Sequence, residues 1–305
     1  MRTAALIVLA ACGGGGATDA GWVEVAPMAR GARQELAVVV LGDALYVIGG
    51  FDPQGGVLAR VEKYDPATDR WSDVAPLPRA LHHANAGVVG GKIVVAGGLI
   101  AGFGAVGDMF LYDPQQDEWT PGPAMPDERG AAAVAVIGER LYVAGGLRGG
   151  QSVADFSALE GGVWQPLPDL PAPRDHLMAA AADGKVYVIG GRDGGALTAR
   201  VDIWDGATWS SGTPMPTARA ASSAAVFEGE IYVAGGEGNP LTPSGIFVEV
   251  EAYDVTADRW RSLAPMRTPR HGTTAGVIAG RIWIPGGALV QGFGATAILE
   301  GLEPL

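Results

Sequence analysis

Apolar positions in this chain come in short runs, not at helical spacing. From residue 37 the sequence reads AVVVLGDALYVIGG: five apolar residues, a Gly42-Asp43 turn, five more apolar residues and a pair of glycines. Val- and Ile-rich runs of this length, joined by a Gly-Asp dipeptide, predict two strands of a tight hairpin. Both are apolar at nearly every position, so the hairpin is expected to be covered on both faces by neighbouring sheets. A third strand is expected over VEKYD (61–65), and a fourth starting at Trp71.

The same unit recurs. Runs ending in a glycine pair are LYVIGG (45–50), IVVAGG (93–98), LYVAGG (141–146), VYVIGG (186–191), IYVAGG (231–236) and IWIPGG (282–287). Their second glycines lie 48, 48, 45, 45 and 51 residues apart. Trp22, Trp71, Trp119, Trp164, Trp209 and Trp260 keep the same rhythm, and an aromatic slot before them holds Tyr64, Tyr112, Trp204 and Tyr253. Two markers in phase identify a repeat protein. Four-stranded units stacked radially predict an all-β fold, a six-bladed β-propeller of four-stranded antiparallel blades. Trp22 has no glycine pair before it, and the pair at 286–287 has no tryptophan after it. Both deficits vanish if the N-terminal strand completes the last blade, residues 270–302, which also removes the open edges.

Glycine pairs with spaced Tyr and Trp make residues 22–302 similar to kelch repeats. The third copy, FSALEGGVW, departs by lacking the tyrosine. The resemblance implies a kelch-type propeller over residues 22–305 that serves as a recognition module, since kelch proteins mostly bind other proteins.

Composition agrees with strands and turns: 48 Gly and 21 Pro punctuate a chain that is 48% hydrophobic. The formal charge of -12 argues against a nucleic-acid partner, which requires a basic surface. The sole cysteine, Cys12, excludes an internal disulfide framework. It ends MRTAALIVLAAC, which resembles a bacterial lipoprotein signal. That resemblance implies a signal peptide over residues 1–12, lipidation at Cys12 and a flexible Gly-rich linker over 13–21. The protein is then expected at the cell envelope, touching the membrane only through its lipid anchor.

In such a sheet the loops entering the first strand and leaving the second share one face. The latter loops are long and varied, as in LIAGFGAVGD and EGNPLTPSGIF, and recognition is expected there. Candidate residues emerge by counting back from each second glycine. Seventeen places earlier stand Arg33, Leu81, Arg129, Arg174, Arg219 and Arg270; sixteen earlier, Gln34, His82, Gly130, Asp175, Ala220 and His271. Fifteen earlier stand Glu35, His83, Ala131, His176, Ala221 and Gly272, so all four histidines occupy two slots. The arginines either hold the repeat together or form an electropositive ring that grips an anion by forked bonds. The variable Glu35, His82, His83, Asp175, His176 and His271 are the stronger ligand-binding candidates.

The expected function is a monomeric, lipid-anchored module that binds a protein or glycan partner through the long-loop face. The alternative is a small-ligand enzyme resembling a sialic-acid mutarotase, with Arg174, Glu35 and His176 as anion holder and acid–base pair. The copper chemistry of galactose-oxidase-like kelch proteins is rejected, because the one cysteine lies outside the blades. No cofactor is expected. Glu35, His83 and His176 share a slot and are of metal-ligating types, but blades one, two and four are not expected to bring them within reach, so no metal is assigned.

Overall fold

The computed structural model describes residues 21–304. Cys12, the 1–12 segment and most of the linker lie outside the described residues. Those described form six four-stranded antiparallel sheets, with two short ribbons in loops. The first blade consists of Ala37–Leu41, Ala44–Ile48, Val61–Asp65 and Arg70–Val74, hydrogen-bonded in that order. The last is closed as expected: Trp22–Glu24 lies beside Leu299–Leu302, with Trp22 opposite Leu302 and Glu24 opposite Glu300.

First strands of successive blades touch in an unbroken circle, which places them around the central axis. Between blades lie apolar layers such as Tyr46, Ile48, Ile93, Val95 and Tyr112. All the repeated tryptophans but Trp22, whose indole nitrogen is buried without a partner, latch their blade to the segment preceding it. Trp71 donates from its indole to Ala26 O, Trp119 to Ala75 O, Trp164 to Pro123 O and Trp209 to Pro168 O, each at 2.8 Å. An indole that packs its ring and satisfies its one donor explains why this residue type recurs.

The arginine column belongs to the same framework. Arg33, Arg129, Arg174, Arg219 and Arg270 are at most 1% exposed. Arg33 pairs with Glu62, Arg174 with Asp202 and Arg219 with Glu251 at 2.5 Å, and Arg270 with Glu300 at 2.6 Å. Each carboxylate is the second residue of its blade's third strand, Glu300 included. Arg129 meets Ser157 there instead, at 2.9 Å, and also donates to Val143 O and Asp127 O. In the second blade both partners are apolar: Leu81 replaces the arginine and Phe110 the acid. The expected electropositive ring is therefore not formed. These five guanidinium groups are spent on acceptors within their own blades, because a buried charge must be paired to be tolerated.

Candidate functional site

Just inside the arginine, each blade turns from the loop face into its first strand. The residue sixteen before the second glycine bridges the residue that follows that glycine: Gln34 to Phe51, His82 to Leu99, Gly130 to Leu147, Asp175 to Arg192, Ala220 to Glu237 and His271 to Ala288. The next residue in each blade has a left-handed backbone: Glu35 (φ 52°), His83 (50°), Ala131 (51°), His176 (50°), Ala221 (51°) and Gly272 (65°). Five of these six are not glycine, a conformation that costs about 1 kcal/mol or more per residue.

A closed circle of hydrogen bonds compensates. Glu35 N donates to Gly272 O, His83 N to Glu35 O, Ala131 N to His83 O, His176 N to Ala131 O, Ala221 N to His176 O and Gly272 N to Ala221 O, at 2.6–3.1 Å. Six backbone links, one per blade, thus encircle the axis. Glycine at 272 leaves room for the Glu35 carboxylate, which a Cβ there, 2.5 Å from Oε1, would push aside.

The side chains form a second circlet at this level. His83 Nε2 lies 3.0 Å from Glu35 Oε2 and 3.0 Å from His176 Nε2. Glu35 Oε1 is 3.6 Å from His271 Nδ1, which is 3.5 Å from Glu237 Oε2. Glu237 accepts from Arg192 at 2.6 Å, Arg192 reaches Asp175 at 3.1 Å, and Asp175 meets His176 Nδ1 at 2.5 Å. His82 stands behind His83, their Nδ1 atoms 2.5 Å apart, and its Nε2 faces Ile100 O.

Proton affinities follow from this packing. Burial pushes the Glu35 carboxyl up, but positive charge on His83, its hydrogen bond, and His271 and His176 more than offset this and hold it well below the usual carboxylate range. Burial pushes His82 down to about 4, with His83 adding to the shift. Burial also lowers His176, although its bond to Asp175 opposes the change. Asp175 is raised by burial but lowered further by His176 and Ser152.

Glu35, His83, Asp175, His176 and His271 line one cavity of about 370 Å³ on the long-loop face, whereas His82 supports it from behind. All four imidazoles therefore gather at one opening, as the repeat phase predicts. The expectation that blades one, two and four hold their ligating groups too far apart is corrected: the relevant atoms of Glu35, His83 and His176 all lie within 4.8 Å of one another.

The model of the Kelch motif matches five segments, residues 32–78, 80–126, 128–171, 174–216 and 218–267. The chain belongs to the kelch-repeat family. Its curated relatives include the Kelch-like protein terF of Aspergillus terreus, 40% identical over 68 residues, which are 22% of this chain and 15% of that protein. Human Kelch-like protein 34 is 46% identical over 69 residues, 23% of this chain and 10% of the relative. Beta-scruin of Limulus polyphemus is 46% identical over 57 residues, 19% and 6% of the two chains. The match thus spans less than a sixth of these relatives' lengths. Among solved structures, that of YjhT superposes with a TM-score of 0.76 at 15% identity, covering 90% of this chain and 95% of that one, which shows a shared fold.

Kelch propellers generally mediate protein–protein interactions, yet this kelch propeller encloses a pocket with charged groups at its floor. Several of its walls were missed by counting back from the glycines. Arg192, Glu237 and Phe51 each directly follow a glycine pair, and Ser152, Phe103 and Phe293 lie on the corresponding loops of the other three blades. The signal was present: the position after the pair alternates among Phe, Leu, Arg, Glu and Ala while the pair itself is constant.

Proposed function

We propose that this kelch propeller takes a small, neutral, polyhydroxylated ligand of the sugar class into its loop-face cavity and moves protons on it by general acid–base chemistry. The observation that carries the reading is the circlet at the cavity floor, in which three carboxylates are separated by imidazole or guanidinium groups, with Phe103 and Phe293 about half exposed at its rim. Alternating donors and acceptors match a ring of hydroxyls, and exposed aromatic faces match the apolar side of a sugar. The composition of the pocket favours a neutral ligand over an acidic one. Glu35, Asp175 and Glu237 face a single guanidinium, Arg192, which is already bonded to two of them. Arg174, the anion holder of the sialic-acid alternative, is buried against Asp202.

The chemistry suited to this floor is interconversion of anomers. Glu35, ionised, would take the proton of the anomeric hydroxyl while a protonated imidazole, His83 or His176, gives one to the ring oxygen. The bond between anomeric carbon and ring oxygen then breaks to a carbonyl and a hydroxyl, and reclosure on the other face returns both protons. Location at the cell envelope through a lipid on Cys12 and the monomeric state belong to the same proposal and rest on the sequence alone. A protein partner docking on this face is the second reading, and its basis is the family.

Saturation-transfer NMR with panels of neutral and acidic sugars tests the ligand class, and exchange spectroscopy between anomer signals tests the chemistry. The expected result is saturable binding of a neutral sugar and faster anomer exchange, both lost in Glu35→Gln. Binding confined to acidic sugars, or no response to any sugar, overturns the reading.

A further inference from the structure

The hydrogen atoms around His83 and His176 can be placed from their partners. The Ile100 carbonyl can only accept, so His82 donates to it from Nε2 at 3.0 Å and turns its Nδ1 lone pair toward His83 Nδ1, 2.5 Å away. His83 must then donate from Nδ1, which leaves a lone pair on Nε2 whenever the ring is neutral. At His176, Nδ1 lies 2.5 Å from the Asp175 carboxylate and donates to it, which again leaves a lone pair on Nε2. Those two Nε2 atoms are 3.0 Å apart, and Glu35 Oε2 is 3.0 Å from the first. Arg192 Nη2 is 3.2 Å from both nitrogens of His176, which sets it against the ring face rather than along the Nε2 lone pair. Three acceptors therefore converge in a place where their side chains are only 6–10% exposed. Something positive must lie among them.

We propose that Glu35, His83 and His176 bind a divalent cation of the zinc class, with its remaining coordination position open to the cavity. Two imidazole nitrogens and one carboxylate oxygen form the ligand set that such ions prefer. Metal–ligand bonds of about 2.0–2.1 Å put neighbouring ligand atoms about 2.9–3.4 Å apart, depending on geometry; two of the spacings here are 3.0 Å and all three lie within 4.8 Å, so Glu35 and His176 would draw in on the ion. The outer contacts fit as well. Asp175 holds His176 and is itself held by Ser152 Oγ at 2.5 Å, and His82 holds His83. Such partners fix the tautomer that a metal requires. Three protein ligands with one open position is the arrangement of zinc sites that act on substrates, not of sites that only brace a fold. The excess of carboxylates over guanidinium in the cavity offsets the added charge. This site does not depend on the sugar reading; a bound ion would replace the proton that the acid–base reading places on these imidazoles, so the two occupy the same three groups as alternatives.

The test is a titration of the chelator-stripped full chain with cobalt(II), in the absence of any sugar, followed by visible absorption and by zinc(II) competition. One equivalent per chain, with d–d bands stronger than those of the aqueous ion, is expected. His83→Ala and His176→Ala should each weaken binding at least about 100-fold, and Asp175→Asn about 10–100-fold. Should a histidine variant fail to fold, Asp175→Asn and Glu35→Gln with unchanged melting temperatures carry the same test. A spectrum indistinguishable from aqueous cobalt, or binding equally tight in the folded variants, overturns the proposal.

Discussion

Two buried polar systems sit within one turn of chain of each other and obey opposite rules. The arginine column is repeated in five blades and directed into the blade, each guanidinium bonded through its terminal nitrogens to acceptors there, with only its buried Nε left unbonded. The circlet, built from the next two residues and from Arg192 and Glu237 after their glycine pairs, differs from blade to blade and mixes Glu, His, Asp and Arg; His271 Nδ1 is buried there without a hydrogen bond. A group that every blade needs is part of the scaffold. A group that one blade alone carries, held in a strained backbone above a cavity, is there for a ligand.

Breaking the first system should have the largest effect. Arg270→Ala leaves Glu300 buried without its partner and is expected to cost about 3–5 kcal/mol in urea denaturation. The protein contains its own control, because the second blade has Leu81 and Phe110 where others have arginine and acid. Arg33→Leu combined with Glu62→Phe should therefore recover most of what Arg33→Leu alone loses; equal loss in the double variant would show that the pair is not interchangeable with an apolar contact. A smaller cost, about 1–2 kcal/mol, is expected for Trp119→Phe, which strands the Ala75 carbonyl that the indole satisfied.

The pH response sharpens the comparison from the other side. His82 takes up its proton at about 6.5 when unfolded but only near about 4 when folded, where it faces His83, His176, Glu35 and the Ile100 carbonyl. Between those values the unfolded chain binds more protons, so stability should fall as pH drops from about 6.5 toward 4. Burial makes His176 act in the same direction. His82→Gln should flatten part of this slope in urea midpoints measured across that range, and an unchanged slope would place the acid response elsewhere.

The repeat made much of this visible beforehand. Six glycine pairs and six tryptophans fixed the blades, and the unmatched Trp22 located the closing strand before any pairing was known. The same phase put the four histidines on one face. Pairing across a blade was not visible, because it depends on strand register: nothing near Arg219 in sequence points to Glu251, 32 residues away. Only the joint change to Leu81 and Phe110 marks the two columns as partners. Arg192 and Glu237 escaped because the glycine pair reads as the end of a strand, whereas the residue after it still bridges inward. The left-handed turn at Glu35, His83 and His176 has no composition signal at all. It recurs in all six blades, and its backbone N–H and C=O are bonded only to neighbouring blades, so no single repeat shows what holds it.

The division between scaffold and site is tested most directly by two urea denaturation curves recorded side by side, for Arg219→Gln and Glu35→Gln. The first substitution should lower the unfolding free energy by about 3–5 kcal/mol, by analogy with other buried pairs, while the second, which removes a carboxylate held ionised by its histidines but set in a strained turn at a cavity, should lower it by clearly less. Equal losses, or a larger loss at Glu35 than at Arg219, would contradict the assignment of one system to the fold and the other to a ligand.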